Sequence, residues 1–215
     1  MVSVIILNSG EPNVIQLTFE NLYKELKDIY GSELLIRNKW FDLEGIKNRY
    51  VCFVEADCLV EPGYFKSQLE KFQEKGYSRN MAIMSASTSI NYWNNKIYGY
   101  QVNTDSYGIY PNRAPKSRVP FTVEIAYIPG SIIRVSMLKT VLKNFTHQTE
   151  DLVYLSSELS MAFWRKSAES QGKGYRIYLN PRTSYLTTES YVNDLGKFDT
   201  RVNDNVMSLF AKESI

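Results

Sequence analysis

Two short runs of nearly continuous apolar residues stand out early in the chain, Val2–Leu7 and Tyr50–Val54. Each run is too short for a helix, and neither alternates between polar and apolar positions as a strand with one solvated face would. Such runs are typical of strands that are buried on both faces of a parallel sheet. The pattern therefore predicts an α/β domain in which these two segments are central strands.

The other segments before residue 88 alternate between helical and strand patterns. Apolar residues recur at helical spacing after Pro12 and after Pro62, and Gly31 provides a stop for the first helix. The predicted elements are a helix over Val14–Tyr30, a strand over Ser32–Ile36, a short helix or turn over Trp40–Ile46, a helix over Gly63–Lys75 and a strand over Met81–Ser85. This order is typical of the nucleotide-binding half of an α/β domain.

The pattern changes in the second half of the chain. Thr88–Pro120 is rich in Tyr, Asn, Ser, Gly and Pro and has neither helical nor strand periodicity, so we expect hairpin-like strands and a mobile basic loop over Pro111–Arg118. The elements predicted further on are strands over Val123–Ile128 and Ile132–Val135, a helix over Ser136–Leu142 capped by Ser136, a helix over Leu152–Gln171, and a strand over Tyr175–Leu179 that Asn180 and Pro181 end. Arg182–Ile215 predicts no definite element.

The composition indicates a globular protein with one sizeable core. The 215 residues are 44% hydrophobic and 22% charged, and the net charge of +2 is too small to indicate a polyanionic partner. Cys52 and Cys58 fit neither a zinc nor a redox motif, and the amino terminus lacks the basic region of a signal peptide. No segment has the roughly 20 apolar residues of a membrane span. We therefore expect reduced thiols and a cytoplasmic protein, and we infer no obligate protein partner.

Two carboxylates one residue apart, Glu55 and Asp57, directly follow the strand over Tyr50–Val54. Ligands of α/β sheets bind at the carboxyl ends of the strands, where such acids can hold a divalent cation that neutralises phosphates. The simpler alternative is an acidic, solvated turn, because acid-x-acid patterns are common. The order of the later segments favours a metal and nucleotide-phosphate site.

Five segments carry a further pattern through their order and spacing. They are the opening strand Val2–Leu7, Arg37–Lys39, Phe53–Asp57, Ile128–Arg134, and Ser157–Glu158 with Gly174–Ile177 downstream. Together they resemble the GT-A-type nucleotide-sugar glycosyltransferases, close to the large inverting family 2, over roughly residues 1–190. The resemblance implies a GT-A fold, with a Rossmann-like, mostly parallel central sheet flanked by helices and a smaller antiparallel element on the acceptor side. It implies a single domain over 1–215, with a nucleotide-sugar half at about 1–87, an acceptor-side half at about 88–190 and a tail at 191–215.

The resemblance also implies metal-dependent transfer of a sugar from a UDP-sugar to a hydroxyl acceptor, with Mn²⁺ or Mg²⁺ as cofactor. Asp57 is then the metal contact, and Glu55 reaches the ribose, or the metal through water. The other implied residues are Leu7, Asn8, Ser9, Arg37, Asn38 and Ala56 for the donor, Trp93, Gly130 and Ser131 on the acceptor side, and Arg134 and Arg165 for phosphate. Arg176 is a further phosphate candidate, although each of these arginines could instead be a surface or ion-paired residue.

Inverting transfer needs a carboxylate that accepts the proton of the attacking hydroxyl. Glu158 is the first candidate for this base, because its position beside the apolar stripe of its helix would bury it in part. The alternatives are a solvated helix acid at this position and the pair Glu150–Asp151 as the base. His147 is the only histidine in the sequence, and a surface position is the simpler interpretation for it.

The acceptor stays open at this point. Ser160–Trp164, Asn180 and Thr187–Tyr191 resemble both the glycosyltransferase-type domains of procollagen lysyl hydroxylases and phage enzymes that modify hydroxymethylated DNA bases. Hydroxymethylated pyrimidines of phage DNA in the host cytoplasm, hydroxylysine or another protein acceptor, and polysaccharide are therefore alternatives. The family's Asp-rich turn for uracil and its late metal-ligating His are missing. A non-catalytic module that binds glycan or nucleic acid through the aromatic segment around Trp93 is the second hypothesis.

Overall fold

The computed structural model describes residues 1–90, 92–103, 108–112, 118–145, 151–171, 173–187 and 195–211. The strands are β1 (Val2–Leu7), β2 (Glu33–Arg37), β3 (Tyr50–Val54), β4 (Leu59–Val60), β5 (Met81–Ile90), β6 (Tyr92–Ile97), β7 (Tyr100–Asn103), β8 (Gly108–Pro111), β9 (Phe121–Val123), β10 (Ile132–Arg134) and β11 (Arg176–Thr187). The helices are α1 (Pro12–Leu26), α2 (Tyr64–Gln73), α3 (Val135–Leu142), α4 (Leu152–Glu169) and α5 (Leu195–Ala211). Among these described helices, none has the length and apolar character needed to cross a membrane.

Within the described residues, nine strands form one sheet in which the two predicted central runs are neighbours. Its order is β2-β1-β3-β10-β5-β11-β4, with β6 beside β5 and β9 beside β11, while β7 and β8 form a separate two-stranded sheet. β1 is parallel to β2 and β3, and β5 is parallel to β11. Because β10 is antiparallel to both β3 and β5, these two strands run in the same direction. The ends of β1, β2, β3, β5 and β11 therefore meet at one edge, the carboxyl edge, and their starts form the amino edge.

Consecutive residues of the central strands belong to two different hydrophobic clusters. Val4 and Ile6 of β1 belong to the cluster that contains the buried residues of α1 and α2, whereas Ile5 and Leu7 belong to the cluster that contains those of α3. Side chains of a strand alternate between its two faces. A strand that is covered by helices on both faces therefore needs apolar residues at nearly every position, which explains the continuous runs in the sequence.

The predicted GT-A-type architecture is confirmed, since the chain has a mostly parallel central sheet flanked by helices and a small antiparallel sheet. β1 and β3 have the bounds that the apolar runs predicted, and β2, β10 and α1 to α4 lie close to their predicted positions. The hairpin-like strands expected between residues 88 and 120 are β6, β7 and β8. Trp40–Ile46 forms turns without a helix.

The predicted end of the last strand at Asn180 and Pro181 is wrong, because β11 continues to Thr187. The pairing of β11 with β5 shifts its register between Asn180 and Ser184, and the irregular stretch contains the proline. A proline cannot donate a ladder hydrogen bond, so it is tolerated where the regular pairing is interrupted. The Oδ1 atom of Asn180 accepts a hydrogen bond of 3.1 Å from the backbone nitrogen of Arg182 within this stretch.

The predicted strand over Val123–Ile128 is also wrong, because β9 ends at Val123. The backbone N–H groups of Ala126 and Ile128 donate instead to the hydroxyls of Ser160 and Ser156 on α4. These hydroxyls supply the partners that a neighbouring strand would otherwise provide.

Three other boundaries differ from the prediction. α3 begins at Val135 without a side-chain cap, so Ser136 is not its N-cap. β5 extends to Ile90 rather than ending at Ser85. The segment for which no element was predicted contains α5, whose buried Val202, Val206 and Leu209 recur at helical spacing, so the pattern was present in the sequence.

Candidate active site

The residues predicted at the ends of the first two strands lie together at the carboxyl edge. Leu7 is paired with Arg37, and the backbone nitrogen of Asn8 donates to the carbonyl oxygen of Arg37 at 2.8 Å. The Nδ2 atom of Asn8 donates to Oδ1 of Asn38 at 3.0 Å. Both amide side chains are exposed in this contact, so they can also bind a ligand. Ser9 follows directly and is exposed.

The turn after β3 is packed against the turn after β1. The Oγ1 atom of Thr18 donates to the carbonyl oxygen of Ala56 at 2.6 Å, which ties this turn to α1. A Cβ atom on Gly10 would lie 3.0 Å from Cβ of Ala56, so the glycine permits the close approach of the two turns. The structure therefore brings the donor residues expected on β1, β2 and β3 into one region.

A cavity of about 380 Å³ opens beside this region. Its lining residues are Asn8, Pro12, Ile15, Gln16, Phe19 and Ile36. An aromatic side chain, two aliphatic side chains and two amides make a surface that can accept a flat heterocycle and hydrogen-bond to its edge. The cavity is therefore a candidate seat for a nucleobase.

The first acid of the pair, Glu55, is buried and is held by two tyrosines. Glu55 as a whole is only 4% exposed. Tyr127 donates its hydroxyl to Oε1 of Glu55 at 3.0 Å, and Tyr185 donates to Oε2 at 2.7 Å. The backbone nitrogen of Glu55 in turn donates to the Tyr185 hydroxyl at 3.1 Å. Glu55, Tyr127 and Tyr185 form a Glu55–tyrosine cluster that fixes the start of the turn.

The second acid, Asp57, is half-buried. No hydrogen bond or ion pair to another residue holds its carboxylate within the described part of the chain. Burial raises the pKa of Asp57, and a hydrogen bond from its own backbone partly opposes this shift. Its oxygens therefore remain available to a cation, which would also relieve the desolvation of the charged form. The neighbouring Cys58 and the mid-strand Cys52 are buried free thiols, as expected for reduced cysteines.

The two acids can be tested as a metal site from the donors that surround them. Within the described ranges, no group of three or more His, Cys, Asp or Glu side chains converges on one point. Mg²⁺ is often held by one or two carboxylates, with phosphate oxygens of the substrate and water completing the shell. Asp57 fits such a site as a single protein ligand, while both oxygens of Glu55 already accept tyrosine hydroxyls.

The acceptor-side residues Gly130 and Ser131 lie beneath the Glu55–tyrosine cluster. The backbone nitrogen of Gly130 donates to the carbonyl oxygen of Phe53 at 2.8 Å, and its φ of 77° lies in the left-handed region. A Cβ atom here would overlap the ring of Tyr185 and lie 2.8 Å from the hydroxyl oxygen of Tyr64. Ser131 is fully buried and donates to the Tyr127 carbonyl oxygen. Both residues support the cluster from inside the core.

Arg134 lies at the amino edge, away from Asp57, because it is paired with Tyr50 at the start of β3. Its Nε atom donates to the carbonyl oxygen of Met81 at 2.7 Å, and one terminal nitrogen donates to that of Ser78 at 2.6 Å. Its guanidinium lies 5.2 Å from the centre of the Phe72 ring. Burial lowers the pKa of this arginine. The structure does not bring Arg134 together with the donor residues.

The direction of α4 follows from its contacts with the segment over 126–128. Ser160 contacts Ala126 and Ser156 contacts Ile128, so the amino-terminal end of α4 points toward Gly130 and the carboxyl edge. Glu158 lies midway between the two serines, about 200° around the helix from each. The half-buried Glu158 therefore points away from the segment whose Tyr127 contacts Glu55. Arg165 lies about two turns further toward the amino edge.

Asp151 forms the N-cap at the end of α4 that points toward the carboxyl edge. Its Oδ1 atom accepts hydrogen bonds of 3.1 Å from the backbone nitrogens of Val153 and Tyr154. Its Oδ2 atom accepts from Arg201 on α5 in a short ion pair. Asp151 belongs to the alternative base pair Glu150–Asp151. Of these two residues, only Asp151 lies within the described ranges.

The remaining candidates have less structural description. Trp93 belongs to β6, but its side chain lies outside the described part. His147, Glu150 and residues 113–117 of the predicted basic loop lie outside the described ranges, and Arg118 is exposed. Arg176 begins β11 at the amino edge. The tyrosines of the Glu55–tyrosine cluster were not singled out in the sequence, because no local pattern distinguishes them among 16 tyrosines.

The chain has a GT-A-like α/β fold, and its candidate site lies at the carboxyl edge of the sheet. Among solved structures, the chain is similar to S. aureus TarS in complex with UDP-GlcNAc, with a TM-score of 0.51 and 12% identity over 87% of this chain and 58% of that one. A second crystal structure of TarS gives a TM-score of 0.52 and 12% identity, with 89% of this chain and 37% of that chain covered. No protein-family model and no curated protein sequence matches the chain. The likeness at this identity shows the fold alone.

Proposed function

We propose that the chain is a glycosyltransferase that moves a sugar from a nucleotide-sugar donor, a UDP-sugar, to a hydroxyl acceptor with inversion at the anomeric carbon. The observation that carries this proposal is the half-buried carboxylate of Asp57, which follows β3 at the same edge as Asn8 and Asn38. The fold likeness to TarS, which was crystallised with UDP-GlcNAc, supports the choice of donor. The chain spans 58% and 37% of those two TarS chains, so the proposal concerns this domain alone.

The donor would lie along the carboxyl edge. The cavity beside Asn8 would take the uracil, the amides of Asn8 and Asn38 would bind polar edges of the nucleoside, and Arg37 would lie near the phosphates. Asp57 would hold Mn²⁺ or Mg²⁺ together with the diphosphate oxygens. A bound divalent cation supplies charge that stabilises the departing diphosphate. The Glu55–tyrosine cluster holds the turn that presents Asp57.

The transfer forms one bond and breaks one. The acceptor oxygen forms a bond to the anomeric carbon, the bond from that carbon to the diphosphate oxygen breaks, and UDP leaves with the bonding electrons. A carboxylate on α4 accepts the hydroxyl proton. Glu158 and Asp151 are the two candidates for this base, and the direction of α4 favours Asp151 because its end of the helix points toward the carboxyl edge. The ion pair with Arg201 on α5 holds the Asp151 side chain at this end of the helix.

For the acceptor, we propose a hydroxymethylated pyrimidine of DNA as the first compound to test, on the sequence resemblance alone. Hydroxylysine peptides and polysaccharides are the alternatives. The second candidate function is a non-catalytic binding module of the same fold. Its supporting observation is that both oxygens of Glu55, one of the two acids, accept hydrogen bonds from tyrosines, which leaves Asp57 as the single acid of the pair for a cation.

Isothermal titration with UDP, UDP-glucose, UDP-GlcNAc and a GDP-sugar, each with and without Mn²⁺, tests the proposal. We expect Mn²⁺-dependent binding of the uridine compounds and its loss in Asp57→Asn. Asp28→Asn, which removes an exposed carboxylate, is the matched control. Binding of none of these compounds contradicts the proposal. Donor hydrolysis separates the two functions, because a binding module shows none before any substitution.

A further inference from the structure

A second cavity, of about 450 Å³, lies outside the candidate active site. It is bounded by the carboxyl-terminal end of α4, by β9 and by the first residues of β11. Because Arg176 on its wall is paired with Met81 at the start of β5, this cavity lies at the amino edge. It is therefore at the opposite edge of the sheet from Asp57. Its volume falls within the range of small-molecule sites, about 300–1,000 Å³.

Two aromatic side chains on the wall of this amino-edge cavity are each held by a second ring. Trp164 packs edge-to-face against Phe210 of α5, with ring centres 5.9 Å apart. Tyr175 packs against Phe163 of α4, with ring centres 6.3 Å apart. Both wall residues are half-buried, so each keeps part of its surface open to the cavity. Rings fixed in this way offer apolar surface to a ligand with little further loss of side-chain freedom on binding.

Polar side chains of the wall are fixed as well. Glu124 accepts the backbone N–H of Val102 through Oε2. Gln101 donates through Nε2 to the carbonyl oxygen of Thr122 at 3.1 Å, and this bond does not use its amide oxygen. Among the described residues of the wall, Glu124 is the one acid and Arg176 the one base. These residues therefore give the wall no net formal charge.

The backbone at Gln171 indicates that its side chain has a role beyond the fold. α4 ends at Glu169, and Gln171 follows the C-cap Ser170 with a φ of 54°. This conformation lies in the left-handed region, where glycine is favoured after a helix and a side chain costs stability. The side chain of Gln171 lines the cavity. A residue kept in a conformation that is unfavourable to it is explained if its amide binds a ligand there.

The combination of groups on the wall decides the class of ligand. An anion would be repelled by Glu124 and a cation by Arg176, so the wall favours a neutral ligand. A sugar hydroxyl donates to a carboxylate and accepts from a guanidinium, and amides bind it in either direction. The apolar face of a sugar ring packs on aromatic side chains. We propose that the amino-edge cavity binds a neutral saccharide, at a site separate from the proposed donor site.

The test titrates the ¹⁵N-labelled full chain with maltotriose, cellotriose and chitotriose in the absence of UDP and metal ions. The indole N–H resonance of Trp164, assigned with Trp164→Phe, should shift in a saturable way with at least one of these sugars. Arg176→Met and Glu124→Gln should each raise the Kd about tenfold, the usual loss on removing one charge-assisted hydrogen bond. Lys173→Met, which removes an exposed cation near the same end of α4, is the matched control and should leave the Kd unchanged.

Gln171→Gly separates binding from folding. It should raise the Tm by about 2–4 °C, because glycine suits the left-handed backbone. The same variant should weaken saccharide binding about threefold or more, because it removes a hydrogen-bonding amide from the wall. A side chain with a purely structural role would not lower affinity while its removal stabilises the fold, so unchanged affinity in Gln171→Gly counts against the proposal.

Three further results would overturn the proposal. They are the absence of a saturable shift with all of these sugars, an equal Kd in Arg176→Met and Lys173→Met, and shifts confined to the amides of Asn8 and Phe19 in the donor region. Tighter binding of glucosamine or of a heparin disaccharide would contradict the neutral class of ligand. Since no donor is present, these results hold whether or not the chain transfers sugar, and UDP binding to Asp57→Asn tests the proposed function separately.

Discussion

The hydroxyl of Tyr185 lies 2.7 Å from Oε2 of Glu55, and this contact joins two residues that are 130 positions apart in the chain. The same hydroxyl accepts the backbone N–H of Glu55. The turn that presents Asp57 is therefore tied at its first residue to the last long strand of the sheet. The position of the proposed donor site depends on this link between β3 and β11.

Tyr185→Phe should destabilise the protein by roughly 1–3 kcal/mol, because it removes a fully buried hydroxyl that donates to one atom of Glu55 and accepts from another. Urea unfolding followed by circular dichroism measures the change. Tyr30→Phe is the control, since Tyr30 is 93% exposed. Equal stability of the two variants would show that the contact contributes nothing to the fold.

Gly130→Ala should destabilise far more than Gly45→Ala. Both glycines have positive φ values, 77° and 72°, so both substitutions carry a backbone cost of about 1–2 kcal/mol. A Cβ atom on Gly45 meets nothing within 4 Å, whereas one on Gly130 would overlap the Tyr185 ring. The difference in unfolding free energy between the two variants isolates the packing beneath the Glu55–tyrosine cluster. A difference near zero contradicts the close packing described here.

The raised pKa of Asp57 predicts a specific dependence of stability on pH in the absence of ligand. A carboxyl whose pKa is higher in the folded state binds more protons there, so folding stability rises as pH falls through the folded pKa toward the unfolded value. The wild type should therefore gain stability relative to Asp57→Asn as pH is lowered through that window, down to about the ordinary aspartate pKa of 3.8. Unfolding free energies from pH 7 to pH 3 measure this, with Asp28→Asn as control. A loss of wild-type stability relative to Asp57→Asn on acidification would contradict the prediction.

Asp151→Asn and Glu158→Gln separate the two candidate bases. Asparagine remains a good N-cap, so Asp151→Asn should keep the cap of α4 and lose only the partly exposed ion pair with Arg201, while kcat/KM for sugar transfer falls by about 100-fold or more. Glu158→Gln should have a smaller effect, since Glu158 points away from the segment that contacts Glu55. Steady-state transfer assays on the two variants measure the ratio. A large loss in Glu158→Gln with full activity in Asp151→Asn would restore Glu158 as the base.

The parts of the fold that the sequence predicted are those that local patterns determine. β1 and β3 follow from apolar runs, because burial on both faces demands apolar residues throughout. The end of β11 was missed because Pro181 lies in a register shift that depends on pairing with β5, and such pairing leaves no local signal. Tyr127 and Tyr185 contact Glu55 over 72 and 130 positions, so no spacing rule could find them.

Local patterns in the sequence also located part of the candidate site. Asn8, Asn38 and the Glu-Ala-Asp turn could be located because ligands bind at the carboxyl ends of parallel strands. Helical spacing placed Glu158 beside an apolar stripe, and the residue is indeed half-buried. The spacing could not show which side of α4 faces the donor region, because that depends on the contacts of Ser156 and Ser160 with the segment over 126–128.

Paramagnetic broadening of backbone amide resonances by Mn²⁺ and UDP tests the proposed donor site most directly. Mn²⁺ with UDP should broaden the amide resonances of Asn8, Asn38 and Asp57. The amide resonance of Arg134, at the amino edge, should stay sharp. Asp57→Asn should abolish the broadening. Broadening at the amino edge instead, or none at the carboxyl edge under saturating UDP, would contradict the account.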